Sequence, residues 1–298
     1  MQIDRIYINT HRYDQYLPSC ISSIRYWYPD FPVFLIFDYS NGSPDTLKML
    51  QKWNIQLADF PPKNYGWGLG KFEPLLQKKK EKFLVLDGDT VITGPILDKL
   101  NLIDADFIVD KEVQSLDDVV RLYYDPAKLK EWNREFNYPG YTFNTGQWVG
   151  TSGLIDPSVL DELVVWNEKP VLKYPDIFKQ ADQGILNYIL QMLQADNKIS
   201  LSRIEMMLWP GHGNENERVN HNIKIKGGDT SYVIHWAGIK YHDIPKFPYS
   251  EVHAFYKALI NKQLSPINLI KHEAIGIKHR LVKKVKHLMN KIIWFFAV

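Results

Sequence analysis

A single cysteine, Cys20, stands in 298 residues, which excludes an internal disulfide framework and fits a reducing compartment. Its expected role is a small buried apolar side chain. No apolar run approaches the ~18 to 20 residues a bilayer-spanning helix requires, and the longest one near the end covers only residues 292–298. Met1 to Arg5 carry neither a basic leader nor an apolar segment, so export is not expected and the chain is expected to be cytoplasmic. Internal repeats and low-complexity segments are also missing. Charge of one sign is not in excess, with 36 basic against 34 acidic residues, which argues against a nucleic-acid groove across the fold. That balance conceals an asymmetry: residues 271–298 hold seven basic residues against Glu273 alone. A basic end on a mildly acidic body points to an anionic surface as partner.

What is present is alternation. Residues 3–8 and 33–37 read as buried strands around a helical stretch over 16–28, with Pro29 and Pro32 as punctuation. Further along, 46–53 predicts a helix, 55–57 a short strand, and 69–80 a second helix feeding a strand at Phe83. Residues 143–150 and Leu154-Ile155 read as strands, 182–193 as a helix, and 231–234 as a late strand ending at His235. Such alternation predicts an α/β fold, a doubly wound and largely parallel sheet with its site at the carboxyl ends of the strands. The polar, aromatic stretch 111–141 predicts an insertion beside that site, and the glycine-rich 210–217 a mobile loop. The loops at 111–141 and 211–229 are expected to close over a bound ligand and exclude water. The expected division is a catalytic domain over 1–250 and a helical, basic, amphipathic extension over 251–298.

The strand Phe83-Leu84-Val85-Leu86 stops at Asp87-Gly88-Asp89. Two carboxylates one residue apart at such a tip suit Mg2+ or Mn2+, hard cations that share their open positions with substrate phosphates. Gly88 between them lets the backbone turn and leaves room for a ligand. The same spacing recurs in Asp104-Ala105-Asp106, but ahead of Phe107-Ile108-Val109, at the entrance of a strand, where a solvated turn is expected. Two other readings of Asp87 to Ile92 stay open: a structural turn, and the nucleophile strand of a haloacid-dehalogenase-type phosphatase. Against the latter, the motif lies well inside the chain, and Gly228-Asp229 lacks a second acid.

Four short motifs in order resemble the GT-A glycosyltransferases, most closely the retaining family-8-like enzymes of lipopolysaccharide and glycogenin type. They are Phe83 to Thr90, Phe143-Asn144-Thr145-Gly146, Asp182-Gln183 with Leu186-Asn187, and His235-Trp236-Ala237-Gly238. The resemblance implies a GT-A fold and transfer of a hexose from a uridine diphosphate sugar to an acceptor hydroxyl. The stereochemical outcome implied is retention, and the setting is surface glycan or glycolipid synthesis. It implies Mn2+ or Mg2+ on Asp87, Asp89 and His235, with Asp182 and Gln183 flanking the anomeric centre. Lys71, Gly88, Asn144 and Gly238 are the implied donor contacts, and Thr10 and Asp38, at the tips of the first two strands, the nucleoside contacts. The family has a lysine six residues after the metal histidine; Tyr241 stands there, which leaves Lys240 as the candidate phosphate clamp. Plainer roles stay open beside these: a hydrogen-bonded structural His235, Asp182 as a helix N-cap, a solvated Lys71, and Asn144 opening a turn. A catalytically idle sugar-nucleotide scaffold is the other functional class. Trp67, between two glycines, is the aromatic expected to be exposed for sugar stacking. In the tail, Ile277, Leu281, Val285, Leu288, Ile292 and Phe295 form an apolar helical stripe opposite lysines. That pattern fits an interfacial helix on an anionic membrane, or a helix packed on protein.

Overall fold

The computed structural model describes residues 1–9, 16–36, 50–61, 64–66, 68–211 and 232–260. Thr10, Asp38, Trp67, residues 46–49, all but the first two residues of the glycine-rich loop, and the amphipathic stripe lie outside the described residues. The chain opens β1 (Arg5–Asn9), α1 (Leu17–Trp27), β2 (Val33–Ile36) and β3 (Gln56–Leu57). Next come β4 (Lys82–Asp87), β5 (Thr90–Ile92), α2 (Ile96–Leu100) and β6 (Phe107–Asp110). The insertion supplies α3 (Leu116–Leu122) and α4 (Pro126–Trp132), after which β7 (Gln147–Thr151) returns to the sheet. A short helix α5 (Ser158–Leu163), a hairpin of β8 (Val164–Val165) and β9 (Val171–Leu172), and the long α6 (Ala181–Ala195) follow. Last are β10 (Leu201–Ile204), β11 (Met207–Leu208), β12 (Val233–His235) and α7 (Ser250–Ile260).

Seven strands form one mixed sheet in the order β10-β6-β7-β4-β1-β2-β3. Every neighbouring pair is parallel except those of β7, which runs antiparallel to β4 and β6. The carboxyl ends of β1, β4 and β6 therefore share one edge with the amino end of β7. β4 reads as an unbroken apolar run because both of its faces are covered. Phe83 and Val85 face one core with Tyr7, Phe107 and Trp148, while Leu84 and Leu86 face another with Ile8, Ile24 and Ile108. Each such side chain contributes about 1.5 to 3 kcal/mol when fully buried, so the strand that presents Asp87 is held from both sides.

A second sheet, β11-β12-β5, carries the late strand back to the site. β12 runs antiparallel to β5 with His235 opposite Thr90, which sets the imidazole beside the residue after Gly88. A third core, with Trp236, Val252 and Tyr256, seats α7, and Trp27 Nε1 on α1 donates to Tyr256 Oη at 3.0 Å.

Two expected elements are absent in their anticipated form. The helix over 69–80 is a single 3-10 turn, Leu69–Phe72. Gly68 enters it with φ 119°, and Pro74 has no N–H to donate, so a longer α-helix cannot propagate. Leu154-Ile155 forms a turn, since Gly153 at φ 73° redirects the chain as β7 ends. The strand expected from 143 begins at Gln147; the residues before it are a loop that carries site groups.

Candidate active site and metal centre

The backbone around Asp87 is fixed before any ligand is considered. Asp87 N donates to Gly146 O at 2.7 Å, Gly88 N to Asn9 O at 2.8 Å, and Thr90 Oγ1 to Asp87 O at 2.7 Å. Gly88 does not adopt a left-handed φ; what its lack of a side chain provides is open space in the cavity wall. Cys20 packs beneath, its Sγ 3.7 Å from Thr90 Oγ1, and burial pushes its thiol up to about 12, so it is inert support.

Three side chains distant in sequence converge here. His235 Nε2 lies 3.1 Å from Asp89 Oδ1 and 3.9 Å from Asp87 Oδ2. One ligand atom from each of Asp87, Asp89 and His235 falls within 4.8 Å of the others. Asp87 Oδ1 and His235 Nδ1 are buried without a hydrogen-bond partner among the described residues. Orphaned, buried polar atoms in a cluster of two carboxylates and an imidazole are what a divalent cation would satisfy, so the residues fit the metal. Gly146 is part of this arrangement: a Cβ there would sit 2.0 Å from His235 Cε1, so any larger residue would displace the ring.

Charge is finely opposed in this cluster. Burial works against an imidazolium at His235, but Asp89 and then Asp87 outweigh it and raise its pKa. Burial drives Asp87 upward, more than Lys71 relieves. Burial also opposes ionisation of Asp89, yet His235 holds that carboxyl below its usual range. Lys71 is not solvated. Its Nζ donates to Asp87 Oδ2 at 2.9 Å and to Asp182 Oδ2 at 2.6 Å, and the two carboxylates overcome its desolvation to keep it charged.

Asp182 stands in the first turn of α6, whose N-cap residue is Gln180, so it is not the cap. Thr145 Oγ1 donates to the same Asp182 oxygen at 2.7 Å, and Gly68 makes room, because a Cβ there would approach Asp182 Cγ to 2.7 Å. Asn144 both opens a turn, accepting from Gly146 N at 2.8 Å, and donates to Gln183 Oε1 at 3.3 Å. These groups line one cavity of about 610 Å3 together with Gly88 and Gly238, within the range of small-molecule sites. Lys240 is exposed and outside that lining. The Tyr241 ring beside it meets Tyr16 edge-on at 5.1 Å instead.

Several site residues carried no motif. Asn9 ends β1, and Glu112, Gln114 and Tyr123 approach from the insertion; all four line the cavity. Asn187, by contrast, belongs to the third motif; fully buried on α6, it accepts from Phe143 N at 2.9 Å and donates to Phe143 O at 2.8 Å, clamping the loop that bears Asn144 and Thr145. Asp110, at the tip of β6, is spent on structure, accepting from Met206 N and Met207 N at 2.8 and 2.7 Å.

No family model matches the sequence, and no curated protein does either. Solved structures do match. The apo bifunctional glycosyltransferase WbbM superposes with a TM-score of 0.54 at 14% identity, over 91% of this chain and 51% of that one. The galactosyltransferase LgtC, in complex with donor and acceptor sugar analogues, gives 0.53 at 15%, over 90% of this chain and 99% of that one. GlyE of Streptococcus pneumoniae TIGR4, also apo, gives 0.53 at 15%, over 88% and 63%. The fold is that of the GT-A glycosyltransferases. The chain spans about half of WbbM and nearly all of LgtC. At these identities the likeness is one of fold.

Proposed function

We propose that this protein is a metal-dependent glycosyltransferase that moves a hexose from a uridine diphosphate sugar to an acceptor hydroxyl, with retention, in the synthesis of a surface glycan or glycolipid. The observation that carries this reading is the convergence of Asp87, Asp89 and His235 at the carboxyl edge of the sheet, inside the cavity. These residues would hold Mn2+ or Mg2+, which when bound supplies Lewis-acid stabilisation of the diphosphate leaving group.

The other residues do the positioning. Lys71 and Thr145 lock Asp182, and Asn144 holds Gln183, so a carboxylate and an amide are presented together. Facing the anomeric carbon, they stabilise its positive character as the glycosidic bond to phosphate lengthens. With retention, the departing phosphate oxygen takes the acceptor proton, which needs no separate protein base. Side chains of the insertion narrow the cavity and limit water, since hydrolysis competes with transfer. Thr10, Asp38 and Lys240 remain proposed contacts to the nucleoside and phosphates. Residues 251–298 are proposed as a helical, basic extension, of which 277–298 would hold a cytoplasmic protein on the inner face of a membrane. No helix among the described residues is long and apolar enough to cross one.

A thermal-shift screen of sugar nucleotides with Mn2+, followed by detection of released uridine diphosphate, tests the reading. Stabilisation by uridine diphosphate sugars and metal-dependent release support it. Preference for adenine or guanine nucleotides would refute the donor, binding without turnover would indicate a scaffold, and release of inorganic phosphate would indicate a phosphatase. Deleting 277–298 and finding unchanged sedimentation with anionic liposomes would dispose of the membrane role.

A further inference from the structure

One wall of the cavity is not engaged by the metal cluster or by the Lys71–Asp182 pair. It is built from the segment between β6 and α3 and from the end of α3. Glu112 lies there, only 7% exposed, and lines the cavity. Its Oε2 accepts from Tyr123 Oη at 3.0 Å. Among the described residues nothing hydrogen-bonds to Oε1, and no lysine, arginine or histidine pairs with this carboxylate. The tyrosine is fixed in turn, because Gln114 Nε2 donates to its oxygen at 2.6 Å and Thr142 Oγ1 donates to Gln114 Oε1 at 3.0 Å. Burial and then the charge of Glu112 hold the Tyr123 phenol well above its ordinary pKa, so it stays a donor. A buried, built carboxylate with one oxygen free is arranged to receive a hydrogen bond from outside the protein.

The charge of the lining among the described residues points the same way. Among the described residues the lining includes five acidic residues, Asp87, Asp89, Glu112, Asp118 and Asp182, against Lys71 and Arg121 and the imidazole of His235, which is a metal ligand in this reading. Lys71 is held by Asp87 and Asp182, and Arg121 Nη2 by Asp118 at 2.7 Å. A dication and the two negative charges of a nucleoside diphosphate sugar cancel, which leaves the wall acidic and without a free cation among the described residues.

We infer that Glu112 is an acceptor-recognition residue, and that the acceptor is a neutral or amine-bearing hydroxyl compound whose hydroxyl or ammonium group donates to Glu112 Oε1. Carboxylated and phosphorylated acceptors are excluded by repulsion. This rests on the glycosyltransferase reading above, and the test separates the two.

With the donor found in the thermal-shift screen and Mn2+, release of uridine diphosphate is measured on matched p-nitrophenyl hexosides, amino sugars and uronic acids. Neutral or amine-bearing members raise release above the acceptor-free rate, and the uronic acid of the same ring has a kcat/KM at least about tenfold lower. Glu112→Gln raises the acceptor KM about tenfold, moves the donor KM far less, and narrows the preference for neutral over uronic acid probes. Tyr123→Phe, which keeps the ring, reproduces part of this, about two- to fivefold. Saturation-transfer NMR of the preferred glycoside on enzyme loaded with Mg2+ and uridine diphosphate reports the same order without turnover. Use of uronic acids as well as neutral probes, no use of any neutral or amine-bearing probe, or an unchanged acceptor KM in both variants overturns the inference. Failure of the glycosyltransferase reading looks different: the wild type then neither binds nor hydrolyses any sugar nucleotide in a metal-dependent way before acceptor is added.

Discussion

Asp87-Gly88-Asp89 and Asp104-Ala105-Asp106 share a spacing, and each lies near a buried lysine. The first ends β4; the second precedes β6 at the opposite edge of the sheet. Around the first, Lys71 touches Asp87 and Asp182 and stays charged because two carboxylates overcome its desolvation. Around the second, the Lys82 ammonium donates to Ile103 O at 3.3 Å and to no carboxylate among the described residues, and burial lowers its pKa, since Asp104 and Asp106 act from a distance. Asp106 is satisfied locally: its Oδ2 accepts from Ser200 N and Oγ at 2.9 and 2.8 Å. Asp87 keeps a buried oxygen with no hydrogen-bond partner among the described residues. Position on the sheet decides which pair is tied into turns and which is left with capacity for a ligand.

The sharpest way to break this contrast is Lys71→Met. It takes the shared cation from Asp87 and Asp182, leaving Asp182 with Thr145 and, among the described residues, Asp87 with His235 alone, and is expected to cost about 3 kcal/mol in denaturant unfolding of the metal-free protein. A loss under about 1 kcal/mol would mean the pairing is incidental. Asp89→Asn should lower metal-dependent release of uridine diphosphate about 10²- to 10³-fold, whereas Asp106→Asn should leave it within about twofold; equal losses would erase the distinction. Gly146→Ala pushes a methyl group onto His235 and should weaken Mn2+ binding about 10- to 100-fold, as read by calorimetry.

The pH response sharpens the same comparison. Because His235 is raised, its proton competes with the metal from above pH 6.5, and Mn2+ affinity should fall about tenfold per unit below the folded pKa. The sign reverses for the metal-free fold: the protonated imidazole contributes stability that is full below 6.5 and is lost as pH rises through the folded value. His235→Gln should remove both trends. Asp106 is lowered, with its burial opposed by the Ser200 hydrogen bonds, so its contribution is present at neutral pH and disappears in acid. The smallest expected effect is Asp106→Ala, about 1 kcal/mol of stability with no change in metal affinity.

Much of this was legible in the chain because it depends on local pattern. β4 is an unbroken apolar run ending in acids, and the placement of each triplet relative to its strand separated site from turn. His235 was reachable only through the order of four motifs, since its meeting with Asp89 depends on the β12–β5 register across more than a hundred residues. Glu112, the clamp that Asn187 places on Phe143 and the steric role of Gly146 were not legible: each acts through a contact between segments that have no common periodicity. The misjudged helix over 69–80 had apolar spacing in its favour, and Gly68, Gly70 and Pro74 overrode it.

The central claim is that one dication sits among Asp87, Asp89 and His235. Crystals grown with Mn2+ and uridine diphosphate, measured at the manganese absorption edge, test it most directly. The account predicts one anomalous peak within about 2.5 Å of oxygens from both carboxylates and of a ring nitrogen of His235. A peak elsewhere, or a bound nucleotide with no peak in this cluster, would contradict it.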